Sequence, residues 1–155
     1  MKIREYQERD ILEIIKLFYE TVHTINVKDY TIEQVNAWAS GKTDSNKWNG
    51  SFLENYTLVA EDDGVIVGFA DMDKDGYLDR LFVHKDHQGR GIATALCDRL
   101  EAHRAGSRFT THASITAKPF FESRGYQVIK EQIILRNGVT LKNYVMEKRS
   151  PTFKV

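Results

Sequence analysis

Between Gln88 and Thr94 the chain reads Gln-Gly-Arg-Gly-Ile-Ala-Thr, just after an apolar run that ends at Val83 and at the start of a segment with helical spacing. The first N–H groups of a helix lack intrahelical partners and carry partial positive charge. Gly89 and Gly91 remove Cβ atoms there, so an anion can approach the backbone, and Arg90 adds a cation. The chemistry this suits is pyrophosphate binding. A P-loop would need G-x-x-x-x-G-K-[ST], which the chain lacks. A dinucleotide fingerprint would need a small residue where Thr94 stands and an acid at the end of the next strand, and "FTTHAS" ends without one. The plain alternative is a glycine-rich turn that only joins strand to helix.

Two other groups could do chemistry. Asp71, Asp73, Asp75 and Gly76 match the start of an EF-hand loop, but the position that demands a bidentate Glu is Phe82. An acidic hairpin turn is the better account, and no metal site is expected. Cys97 is the one cysteine, so it has no internal disulfide partner; on an apolar helical stripe it reads as a buried, inert thiol.

The elements that must position the glycine turn follow from periodicity. "KIREY" alternates as a short strand, and Ile11, Ile14, Ile15, Phe18, Tyr19, Val22 and Ile25 mark an amphipathic helix. "TIEQ" is a capping box opening a second helix through Trp38, closed by Gly41. "KTDSNKWNG" reads as a polar loop with at most a short helical turn after it. "DDG", "DKDG" and "RNG" each join apolar runs as hairpin turns. A helix near 89–104 precedes "FTTHAS", and "AKPFFESRG" is a further short helix ended by Gly125. The order β-α-α-β-β-β-α-β-α-β-β predicts an α+β domain in three layers, with a single mixed sheet and helices on both faces. One domain over 1–149 with a tail at 150–155 is expected.

With 22 basic and 22 acidic residues the formal net charge is zero, which argues against a duplex nucleic-acid binder. No run reaches the ~18 apolar residues of a membrane span, and "MKIREYQERD" lacks the apolar core of a signal peptide. A cytoplasmic protein without nucleic-acid or membrane partners is expected.

Gln88-Gly89-Arg90-Gly91-Ile92-Ala93 resembles the Q/R-x-x-G-x-G/A signature of the GNAT superfamily of N-acetyltransferases. "AKPFFESRGY" is similar to that family's A-x-x-F-Y-E-x-x-G-F segment, and the order of elements is similar to the whole GNAT fold. Residues 19–39 resemble a bacterial branch of uncharacterised members. The resemblance implies a mostly antiparallel sheet of about six or seven strands. It also implies acetyl-CoA as co-substrate, its pyrophosphate held by backbone groups from Gln88 through Gly89, Arg90, Gly91, Ile92 and Ala93 to Thr94. The backbone of Leu81, Phe82 and Val83 would pair with the pantetheine arm, and an amide there would polarise the thioester carbonyl. Edges of such sheets often pair, which leaves a homodimer open.

Transfer to an alkyl ammonium, with pKa ~10.4, needs a base, and the departing thiolate is helped by an acid. The family's tyrosine falls at Phe121 and its frequent asparagine at Ser114, so the usual acid is missing and a non-catalytic acyl-CoA-binding module stands as the competing reading. By the period of two, Tyr77, Asp79, Leu81 and Val83 share a face, which makes Asp79 the candidate base. His112, near the end of "FTTHAS", is a second catalytic candidate; Tyr126 and Tyr144 are further acids whose plainer role is packing. In this family the first two helices wall the acceptor site, and here they offer His23, Asp29, Tyr30 and Trp38, suited to a small-molecule or peptide amine.

Overall fold

The computed structural model describes residues 1–104 and 108–149, so the tail at 150–155 lies outside the described residues. The strands are β1 (Lys2–Glu5), β2 (Tyr56–Asp62), β3 (Val65–Met72), β4 (Tyr77–Val83), β5 (Arg108–Ser114), β6 (Gln127–Arg136) and β7 (Val139–Arg149). The helices are α1 (Ile11–Thr24), α2 (Ile32–Trp38), α3 (Ser45–Glu54), α4 (Ile92–His103) and α5 (Lys118–Ser123). All seven strands form one sheet in the order β1-β2-β3-β4-β5-β7-β6, with β4 and β5 parallel and every other pair antiparallel. This is the mixed, mostly antiparallel sheet that the order of elements predicts.

Two cores hold the layers together. On one face Leu58, Ala70, Met72 and Leu78 pack against Ile92, Leu96 and Leu100 of α4 and Phe121 of α5. On the other, Val59, Ile66 and Phe69 meet Ile14, Phe18 and Val22 of α1, Val35 of α2 and Phe52 of α3. Helices therefore cover both faces. The capping box of α2 is complete, with Gln34 N donating to Thr31 Oγ1 at 3.1 Å and Thr31 N to Gln34 Oε1 at 2.9 Å.

Helix α3 corrects the expected loop. Asp44 caps it by accepting from Lys47 N at 3.1 Å, and Trp48 and Phe52, four apart, pack tilted or edge to face against Phe18, Tyr6 and Phe69. Its other residues are mostly polar, with Gly50 in the middle, so the periodic signal is two aromatics and little else. The helix exists because those aromatics close one core, which outweighs weak local propensity.

The parallel pair β4–β5 is brief. Only Tyr77↔Thr110 and Leu78↔Thr111 are in register, and the strands part beyond them. Gly76 makes the approach possible. It sits at φ +86°, its carbonyl accepts from Thr110 N at 3.1 Å, and a Cβ there would stand 2.5 Å from the Arg108 carbonyl oxygen. Gly76→Ala is expected to lose about 2–4 kcal/mol in urea unfolding, through left-handed strain plus the clash. A loss below about 1 kcal/mol would contradict this account of the junction.

Candidate active site

Where β4 and β5 part, a cleft of about 1700 Å³ opens, lined by both strands, the start of α4, and residues from α2, α3 and β7. Thr111 Oγ1 donates to the Leu78 carbonyl at 2.8 Å and seals the last paired position. Beyond it, the side of β4 toward β5 has no strand partner. Backbone polar groups in such a place need another partner, and an extended ligand can supply it.

The chain leaves β4 through a short turn at Lys85–His87 and enters α4 by Gly89 and Gly91, at φ +72° and +80°. Those left-handed values explain why glycine stands at both positions. A Cβ on either would meet nothing within 4 Å, so the helix start faces open space. Gln88, Gly89, Gly91, Ile92, Ala93 and Thr94 all line the cleft, whereas the exposed Arg90 does not. Gln88 folds its side chain back, Nε2 donating to the Val83 carbonyl at 2.6 Å, and Thr21 Oγ1 donates to the same oxygen at 3.3 Å. That carbonyl is therefore already paired, which leaves Leu81 and Phe82 as the open part of the expected rail.

The face expected for β4 is corrected by a bulge. Met72 pairs with Leu78, but Asp71 pairs with Arg80, so Asp79 and Arg80 together oppose one residue of β3. The phase shifts there. Leu78, Leu81 and Val83 pack in the α4 core, while Phe82 packs with α1. Asp79 thus does not share a face with Leu81 and Val83. It stands with Arg80, its carboxylate 3.4 Å from that guanidinium and partly open to the cleft.

Around Asp79 lie Tyr77 and His112, whose rings meet edge to face at 5.2 Å. Partial desolvation lowers the His112 pKa below its usual value, offset in part by the Asp79 charge, although the ring remains solvent-exposed. Burial, reinforced by Asp79, raises the Tyr77 phenol to about 12, and its hydroxyl makes no hydrogen bond among the described residues. Tyr77, placed by the sequence on one face with Asp79 but given no role there, is a cleft-lining phenol.

Under this group lies Asp71, fully buried, accepting from Arg80 Nη1 at 2.5 Å and from Asn55 Nδ2 at 2.9 Å. Its other oxygen has no hydrogen-bond partner among the described residues. Desolvation outweighs the Arg80 charge and raises its pKa to about 6. Asp71 and Asp73, expected as turn acids rather than calcium ligands, serve that pair and the turn: Asp73 Oδ1 accepts from Asp75 N and Tyr77 N.

The remaining candidates divide. Trp38 lines the cleft, tilted against Phe82. Tyr30 also lines it, but its hydroxyl donates to the Lys142 carbonyl at 2.7 Å and accepts from Ile115 N at 2.9 Å, a structural tie. His23 is not brought there; it stacks on Tyr19 and its Nε2 contacts the Ala39 carbonyl at 2.8 Å. Asp29 accepts from Thr116 Oγ1. Ser114 lines the cleft, its Oγ accepting from Ala117 N at 3.0 Å. Phe121 is 2% exposed and packs on Tyr126 at the cleft floor. Tyr126 is itself buried away from the cleft lining, its hydroxyl donating to Glu101 at 2.8 Å, and both burial and that carboxylate raise its pKa. Cys97 is fully buried, its thiol pushed up to about 12.

A family profile described as an acetyltransferase (GNAT) domain matches residues 26–148. The chain belongs to the GNAT acetyltransferase family. It is 34% identical over 146 residues to the uncharacterised N-acetyltransferase YafP of Escherichia coli, covering 94% of each chain. It superposes with a TM-score of 0.91 on a GCN5-related N-acetyltransferase from Rhodopseudomonas palustris, 34% identical, covering 96% of this chain and 94% of that one. The PaiA N-acetyltransferase of Thermoplasma acidophilum, solved in complex with coenzyme A, gives a TM-score of 0.77 at 17% identity over 96% and 98% of the chains, a likeness of fold. Among the described residues, no helix of this GNAT chain is long and apolar enough to cross a membrane.

The Asp71 shift has a sign that can be checked. A carboxyl whose folded pKa lies above its unfolded value stabilises the fold below about pH 4, and that contribution is lost as pH rises through about 6. The stability of Asp71→Asn relative to the unmodified chain, from urea unfolding, is expected to improve as pH climbs from about 4 to about 7. A difference independent of pH would contradict the burial-driven shift.

Proposed function

We propose that this GNAT chain is an acetyl-CoA-dependent N-acetyltransferase that transfers acetyl to a primary amine by direct attack in a ternary complex. The observation that carries it is the juxtaposition at one cleft of an open β4 edge and a helix start whose two left-handed glycines face empty space. These residues fit a long ligand with an anionic middle: unpaired amides at the start of α4 for the anion, and Leu81 and Phe82 for an extended arm. Acetyl-CoA, when bound, supplies an activated acetyl thioester.

Asp79 is the base in this reading, partly exposed and held beside Arg80. A carboxylate there attracts the ammonium form of the acceptor and takes its proton. His112, whose pKa is lowered by partial desolvation and which also lines the cleft, is an alternative proton acceptor. Phe121, at the position of the family's tyrosine, has no proton to give, and Ser114 Oγ accepts from the Ala117 amide. That gap favours a second reading, an acyl-CoA-binding module without transfer.

Calorimetry with acetyl-CoA and a thiol-release assay across amines separate the two. Binding with CoA release supports the enzyme, and binding without release on any amine supports the module. Gly91→Glu, folded by circular dichroism, is expected to weaken acetyl-CoA binding about 100-fold or more, because it sets a bulky anion where the ligand's anion belongs. Unchanged affinity would remove the α4 start as the anion site. Asp79→Asn is expected to lower kcat about 10²–10⁴-fold and abolish the acid limb of the pH profile. If that limb instead persists near or below pH 6.5 and vanishes in His112→Gln, the imidazole is the base.

A further inference from the structure

We propose that the acceptor is a free α-amino acid, its carboxylate received by Arg80 and its α-nitrogen by Asp79. This rests on reading the cleft as an N-acetyltransferase site. The bulge makes the pairing possible, because in a regular strand consecutive residues would point to opposite faces. Here they stand side by side with opposite charges 3.4 Å apart. The two charged ends of an α-amino acid are separated by a single carbon, a spacing this pair complements and a long diamine does not.

Arg80 is built for recognition rather than left on the surface. Its guanidinium lies 4.7 Å from the Trp48 ring centre and 4.8 Å from that of Phe52. Nη1 is held by Asp71, and both Nη atoms reach Ser51 Oγ at 3.3 Å. Nε makes no hydrogen bond among the described residues, so the Nε–Nη2 edge keeps donors for a carboxylate. Such a fork is fixed before the ligand arrives, and a buried pair beneath it costs desolvation that a purely structural residue would avoid. Both signs of charge stand together at the bulge: the Asp79 carboxylate beside the Arg80 guanidinium, with Asp71 behind Arg80. A site offering both signs suits a zwitterion better than a polycation. Trp38 and Trp48 offer aromatic surface to the amino-acid side chain.

The reaction balances. One proton of the ammonium passes to Asp79 and on to solvent. The nitrogen lone pair forms the C–N bond as the C–S bond breaks, and the second nitrogen proton ends on the departing thiol. The products are the N-acetyl amino acid and free CoA.

The test uses the full chain with acetyl-CoA and pairs of amines that differ only in the carboxylate, such as phenylalanine with phenethylamine and glutamate with 4-aminobutyrate, across the common α-amino acids. At least one amino acid is expected to show kcat/KM about tenfold or more above its decarboxylated partner, with acetyl on the α-nitrogen by mass spectrometry. Arg80→Lys, which keeps the charge but loses the fork, is expected to shrink that ratio mainly by raising KM, with acetyl-CoA affinity unchanged. If this variant does not fold, the comparison of amines on the unmodified chain decides alone. Turnover of decarboxylated amines as well as or better than their amino acids overturns this inference and leaves the transferase reading intact. A folded Arg80→Lys protein with an unaltered ratio also overturns it. No acetyl-CoA binding, or binding with no release on any amine, overturns both.

Discussion

Two parallel strands that pair through two residues each and then separate are the constraint on which this molecule turns. A sheet strand normally satisfies its backbone on both sides; β4 does so on one side only once it passes Leu78. The cost is carried by what surrounds the split. Gly76 allows β4 to start hard against β5, Thr111 caps the last paired carbonyl, and Gln88 with Thr21 takes the Val83 carbonyl at the far end. Between these closed ends the strand edge is free, and the α4 start with its two glycines lies at one end of that stretch.

The second feature is the bulge at Asp79 and Arg80. It turns one core-facing strand into two half-strands of opposite phase. The first presents Tyr77, Asp79 and Arg80 to the cleft, and the second sends Leu81 and Val83 under α4. Polar groups and anchoring apolar groups can therefore sit on a seven-residue strand without competing for one face. Asp71 lies beneath the bulge, buried and paired with Arg80 and Asn55, where desolvation of its carboxyl works against the ion pair.

Helix α3 completes the site from outside the segment that carries the family signature. Its Trp48 and Phe52 clamp Arg80, and Ser51 bonds it. Neither the cofactor turn nor the sheet alone would orient that guanidinium. The glycine turn and the setting of Arg80 are thus built by different elements.

Much of this was legible in the chain itself. Strand and helix positions follow from apolar periods of 2 and 3.6, and the hairpins from Asp-Gly and Asn-Gly, with Asp63 and Asn137 indeed at positive φ. The glycine turn follows too, since its backbone values belong to glycine and are a local property. His23, Tyr30 and α3 were not legible, because their roles depend on which neighbours long-range packing supplies: a carbonyl at Ala39, an amide at Ile115, a guanidinium at Arg80. Above all, a plain period of two applied to β4 puts Tyr77, Asp79, Leu81 and Val83 on one face. Only pairing with β3, where one buried aspartate faces two residues, decides that Asp79 and Arg80 stand together, since a bulge is a property of register between strands and not of either strand alone.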